Sequence, residues 1–124
     1  MTCFWNAILR NLRSNNDEIF SGVKTPTQLV NTFKEKNKQT PNVFWQGKKL
    51  SKDELKENYT WIKDYDVLKI RNGHLTSACD PFFCLLASLL NINIKHNYAG
   101  HRIMYTVPNS KKTWNFTSSR SHMN

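Results

Sequence analysis

Hydrophobic positions along the first two thirds of the chain recur with a helical period. From Cys3 to Leu12, the residues Phe4, Ile8 and Leu12 share one stripe, with Trp5 and Leu9 beside it. That pattern predicts a helix that packs centrally. Asn15-Asn16-Asp17 ends it. Thr25-Pro26-Thr27-Gln28 combines a capping threonine, a proline suited to the first turn and a glutamine able to close a capping box. It predicts a helix to about Lys36, with Leu29, Val30 and Phe33 inside. Ser51-Lys52-Asp53-Glu54 repeats the capping box and predicts a helix through about Trp61. Val43-Phe44-Trp45 reads as a short strand ended by Gly47, and Val67 to Ile70 as extended. Asp80-Pro81 starts a third capped segment, in which Phe82, Phe83, Cys84, Leu85, Leu86, Ala87, Leu89 and Leu90 leave almost no polar side. A helix of that kind is covered on most sides.

After residue 90 the period changes to two. Ile92, Ile94, His96 and Tyr98 alternate with polar residues, as do Ile103, Tyr105 and Val107, then Trp114 and Phe116. Ala99-Gly100 and Pro108-Asn109-Ser110 separate the runs, and Asn72-Gly73 marks another turn. The three runs predict an antiparallel meander with one packed face and one wet face. Helices first and strands afterwards give an α+β class, with helices packed on a small antiparallel sheet and residues 1–124 as a single domain.

The composition narrows the picture. No apolar run approaches the roughly 20 residues that span a bilayer, so no membrane partner is expected. No secretory leader opens the chain, so Cys3, Cys79 and Cys84 are expected as free thiols in a reducing, cytoplasmic compartment. They form no CxxC pair, and neither a metal site nor a cofactor is expected. The net charge is +9. It favours acidic partners such as nucleic acid, but the lysines are dispersed, without a run of five, and read first as a solvated face.

The candidate chemistry lies at the two ends. Cys3 opens the first helix, where the partial positive charge of a helix N-terminus favours a thiolate. His122 and Asn124 stand two residues apart, so on a strand they point to the same face. A histidine base oriented by a polar third group is what a thiol nucleophile needs. His101, after Gly100 at a strand start, is an alternative base, although no aspartate stands near Asn115 or Ser118 to orient it. Backbone and side-chain donors for an oxyanion are expected from the Cys3 amide and Asn6. Trp45, beside Gln46-Gly47-Lys48-Lys49, is the tryptophan best suited to an exposed contact.

These segments together resemble a known family. Cys3-Phe4-Trp5-Asn6-Ala7 looks like the nucleophile helix of ovarian-tumour (OTU) type papain-like cysteine proteases, especially the small viral members. Asn72-Gly73-His74-Leu75, Asp80-Pro81-Phe82 and Leu85-Leu86-Ala87 look like the family's polar loop and buried helix. Ile92-Asn93-Ile94 resembles the strand that follows. Trp114-Asn115-Phe116 and His122-Met123-Asn124 look like its last strand with its histidine. The resemblance implies a papain-like, OTU-like fold and a thiol protease of host cytoplasm that acts after a Gly-terminated tail. It implies Cys3 as nucleophile, His122 as base and Asn124 as orienter. Ubiquitin or a ubiquitin-like modifier is the implied partner, with a viral polyprotein as a further substrate. The family's Asp- and Gly-containing loop before the cysteine is absent here. The substrate groove is expected between the first helix and residues 72–80, with Phe44, Trp45, His74 and Tyr98 as substrate-binding positions.

Blander readings stand beside these. Cys79 and Cys84 read as structural thiols, and Cys84 lies where a thiolate is disfavoured. His74 and His96, like His101, read as loop or sheet-edge histidines. The alternative function is a basic, non-catalytic domain that binds nucleic acid or protein. An inactive papain-like fold that only binds the modifier is a third.

Overall fold

The computed structural model describes residues 3–15, 18–68 and 80–118. Four helices lie on one side of a five-stranded mixed sheet. The helices are α1 (Cys3–Asn15), α2 (Pro26–Glu35), α3 (Lys52–Lys63) and α4 (Pro81–Leu90). The strands are β1 (Phe44–Trp45), β2 (Lys48–Lys49), β3 (Asn93–Tyr98), β4 (His101–Thr106) and β5 (Thr113–Ser118). A short 3-10 turn, Glu18–Phe20, follows α1 and buries Phe20.

Each helix start satisfies amides that the helix itself leaves unbonded. The Gln28 amide donates to Thr25 Oγ1 at 3.2 Å, while Gln28 Oε1 accepts from the Thr25 amide at 3.2 Å. Ser51 and Glu54 repeat the exchange at 3.1 and 2.9 Å. Asp80 Oδ1 accepts from the Phe82 and Phe83 amides at 2.8 and 3.2 Å. The Asp80 amide donates to the Tyr105 hydroxyl at 2.8 Å, which fixes the start of α4 to β4. Helix α4 is buried along Pro81–Ser88. It ends where Asn91 turns left-handed at φ 53°.

The sheet order is β2-β1-β4-β3-β5. Two tight turns with paired positive φ values, Gln46-Gly47 and Ala99-Gly100, join β1 to β2 and β3 to β4. Such turns match the twist of a hairpin. Gln46 extends the edge of β1. Its amide donates to the Met104 carbonyl at 2.8 Å, and its side chain bonds Arg102 O and the Met104 amide at 3.0 and 2.8 Å.

The sheet is mixed, which corrects the expected antiparallel meander. Strand β5 does not pair with β4. It lies parallel to β3, with Ile94 opposite Trp114 and His96 opposite Phe116. The free side of β4 is taken by β1, so the chain must pass over the start of β3 to reach the other edge. Asn93 holds that crossing. Its Oδ1 accepts from the Val107 amide at 2.9 Å, and its own amide donates to Lys112 O at 2.8 Å. The Ser110 hydroxyl donates to Asn91 O at 2.7 Å.

Two smaller expectations also change. Val67 and Leu68 form a 3-10 turn rather than an extended run, with the Leu68 amide on Asp66 Oδ1 at 2.9 Å. His96 is not at a sheet edge: it is 1% exposed, in a strand flanked on both sides. The Asn72-Gly73 turn lies outside the described residues.

One core joins the layers. Phe83 touches Phe4 at 5.1 Å between ring centroids, Phe116 at 4.9 Å, His96 at 5.1 Å and Tyr105 at 5.5 Å. Trp5 meets Phe82 edge-on at 4.8 Å, a favoured geometry for aromatic pairs.

Candidate thiol site and the surfaces around it

Cys3 is the first residue of α1. The two residues after it, Phe4 and Trp5, are fully buried, so the helix start is held against α4 rather than fraying. No acidic residue stands in the first turn of α1, and Arg13 stands in the last. The positive pole of the helix is therefore unopposed within its own first turn. Asn6 follows one turn later and is exposed. Spacing of three puts positions 3 and 6 on one helical face, the face that continues through the exposed Arg10 and Arg13.

His122, Asn124, His74 and Cys79 lie outside the described residues. The strand that precedes His122 in sequence is β5, and its end has a definite neighbourhood. Tyr98 stands opposite Ser118 on one side and opposite His101 on the other. The alternative base, His101, is therefore the first residue of β4, exposed, and at the same end of the sheet as the close of β5. Tyr98 itself is half-buried against the core and lies 5.8 Å from the His96 ring. Phe4, Phe83 and Phe116 form a continuous line of rings from the second residue of α1 to β5.

Trp45 is half-buried against the core, with its indole nitrogen enclosed. It lies opposite Tyr105 and Lys48. Its neighbour Phe44 points to the other face of the sheet, opposite Thr106 and Lys49. The signal that misdirected the sequence reading was the adjacent Lys48-Lys49 pair, which is exposed although the tryptophan is not.

His96 was not expected to matter and is the most perturbed histidine. Burial among Phe83, Tyr98 and the neighbouring strands pushes its pKa below the usual imidazole range, while the negative charge of Asp80 pulls in the opposite direction. The ring is therefore held neutral at pH 7, in the position of a packed core residue. Cys84 is fully buried on α4.

A cavity of about 720 Å³ lies along α3, lined by Lys56, Glu57, Thr60, Trp61, Asp64, Tyr65 and Asp66. Burial raises the pKa of Tyr65 there, the neighbouring Trp5 lowers it, and Asp66 and Asp80 raise it. Among the described residues no three His, Cys, Asp or Glu side chains cluster as metal ligands. No described helix is long and apolar enough to cross a membrane. No protein family, curated protein or solved structure matches this chain.

Proposed function

We propose that this chain is a thiol hydrolase of OTU-like type that cleaves after the Gly-terminated tail of ubiquitin or a related modifier. The observation that carries the reading is the position of Cys3. It opens a helix whose next two residues are locked into the core, and whose ring contacts run through Phe83 to Phe116 on β5. In sequence, His122 follows Phe116 by six residues. Cys3 Sγ attacks the carbonyl carbon and its proton passes to the histidine. The histidine then protonates the departing amine, leaving a thioester. Water, activated by the same ring, hydrolyses the thioester and restores the thiol. Asn124 orients the ring. The Cys3 amide and Asn6 donate to the oxyanion. Cleavage of a viral polyprotein would use the same steps.

A second choice of base is favoured by one observation: His101 is exposed at the sheet end where β5 closes. The test is a panel of ubiquitin and ubiquitin-like probes with a C-terminal electrophile, applied to the wild type and to Cys3→Ala, His122→Ala and His101→Ala. An adduct that requires Cys3 and His122 supports the proposal. Dependence on His101 transfers the base to β4. A folded protein that labels with no probe overturns the hydrolase reading in favour of a basic binding domain.

A further inference from the structure

All nine acidic residues lie between Asp17 and Asp80, and none occurs from residue 81 to the end. Every strand of the sheet is free of Asp and Glu. One face of that sheet is occupied: Ile94, His96, Ile103, Tyr105, Trp114 and Phe116 are buried there, and α4 packs on β3 and β4. Helices α1, α2 and α3 pack around α4 and around one another. Among the described residues no helix covers the other face.

The strand register shows what that open face carries. Lys49 lies opposite Phe44, and Phe44 opposite Thr106 on β4. Arg102 lies opposite Asn97, and Met104 opposite Lys95. Asn115 continues the row from Lys95 on β5, flanked by Thr113 and Thr117. Lys49 and Arg102 are exposed, and Lys95, Phe44 and Met104 are half-exposed. Exposed Lys111 and Lys112 stand at the rim, just before β5.

The surface thus offers separated cations, uncharged amides and hydroxyls between them, one aromatic ring, and no carboxylate on its strands to repel an anion. We propose that this open face binds single-stranded nucleic acid, a function separate from the thiol chemistry. Lys49, Lys95 and Arg102 take the phosphates. The asparagines hydrogen-bond base edges, and Phe44 gives a base a flat surface to stack on. A strand with unstacked bases suits an open sheet, whereas a duplex is read by an element that enters a groove. An acid-free surface of this kind discriminates by charge before contact.

The experiment is fluorescence anisotropy with labelled single-stranded oligo-U and oligo-dT and a duplex of equal length, using the full chain. With about four phosphates neutralised, affinity for the single strand is expected to fall about fifty-fold between 50 and 200 mM salt. Lys49→Glu/Lys95→Glu/Arg102→Glu should weaken binding at least tenfold and flatten that salt dependence. Lys36→Glu/Lys38→Glu/Lys52→Glu, an equal charge change on the helical side, should alter it less than threefold. Should the first variant fail to fold, amide shift mapping of the wild type decides, and shifts centred on β1, β3, β4 and β5 support the proposal. Equal losses in both variants, equal or tighter binding of the duplex, or tighter binding to phosphatidylserine vesicles than to the oligonucleotides would each overturn it.

Discussion

The two faces of the sheet are built from the same strands, residue by alternate residue, yet they differ in almost every property. On one face Phe83 from α4 meets His96, Tyr105 and Phe116, and nothing charged intrudes. On the other, lysine, arginine, asparagine and threonine stand open to water. The inner face determines whether the chain folds, and the outer face determines what it meets. A substitution one position along a strand therefore moves from one problem to the other.

The contrast breaks most sharply at Phe83. Phe83→Ala removes the ring on which α1, β3, β4 and β5 converge, and should cost about 3–5 kcal/mol. Chemical denaturation measures it; a loss under 1 kcal/mol would mean that the layers are not joined through this ring. Asn93→Ala comes next, because Asn93 is half-exposed but structural. It leaves the Val107 amide without its acceptor, at a cost of about 1–3 kcal/mol, and a melting curve identical to wild type would show the crossing is held by other bonds. Acid then separates the faces further. His96 has a depressed pKa in the folded state, so the unfolded chain binds the proton more readily. The stability it contributes is present above the ordinary pKa of about 6.5 and is lost as pH falls from there through the folded value. Melting temperature should drop between pH 7.5 and 5, and His96→Phe should flatten the drop. The smallest effect belongs to the outer face: Lys95→Thr should change stability by no more than about 0.5 kcal/mol.

Much of this molecule was readable from local chemistry. Thr25, Ser51 and Asp80 cap the helices they were expected to cap, because a cap involves only residues three apart. The uniformly apolar run after Pro81 became the buried helix, and the period-two runs became strands with one packed face. Which strand lies beside which was not readable. Alternation records a buried face and carries no information about a neighbour, so the parallel pairing of β5 with β3 was missed. Residue type misled for His96, whose polarity suggested an edge although its neighbours in the alternation were Ile94 and Tyr98. At the candidate site, the helix start at Cys3 was legible from the stripe that follows it. The enclosure of Trp45 was not, since it depends on Tyr105, some sixty positions away.

The passage of the chain from β4 across Asn93 to the far edge also sets an order of assembly. Strands β3 and β4 are joined by two residues and can zip locally, whereas β5 must wait for a completed β3 to lie against. Until it arrives, one flank of β3 is an open template. At high protein concentration during refolding, that flank can accept the last strand of a second molecule in place of its own. Exchanged dimers, joined through residues 107–112, are thus the characteristic misassembly of this topology.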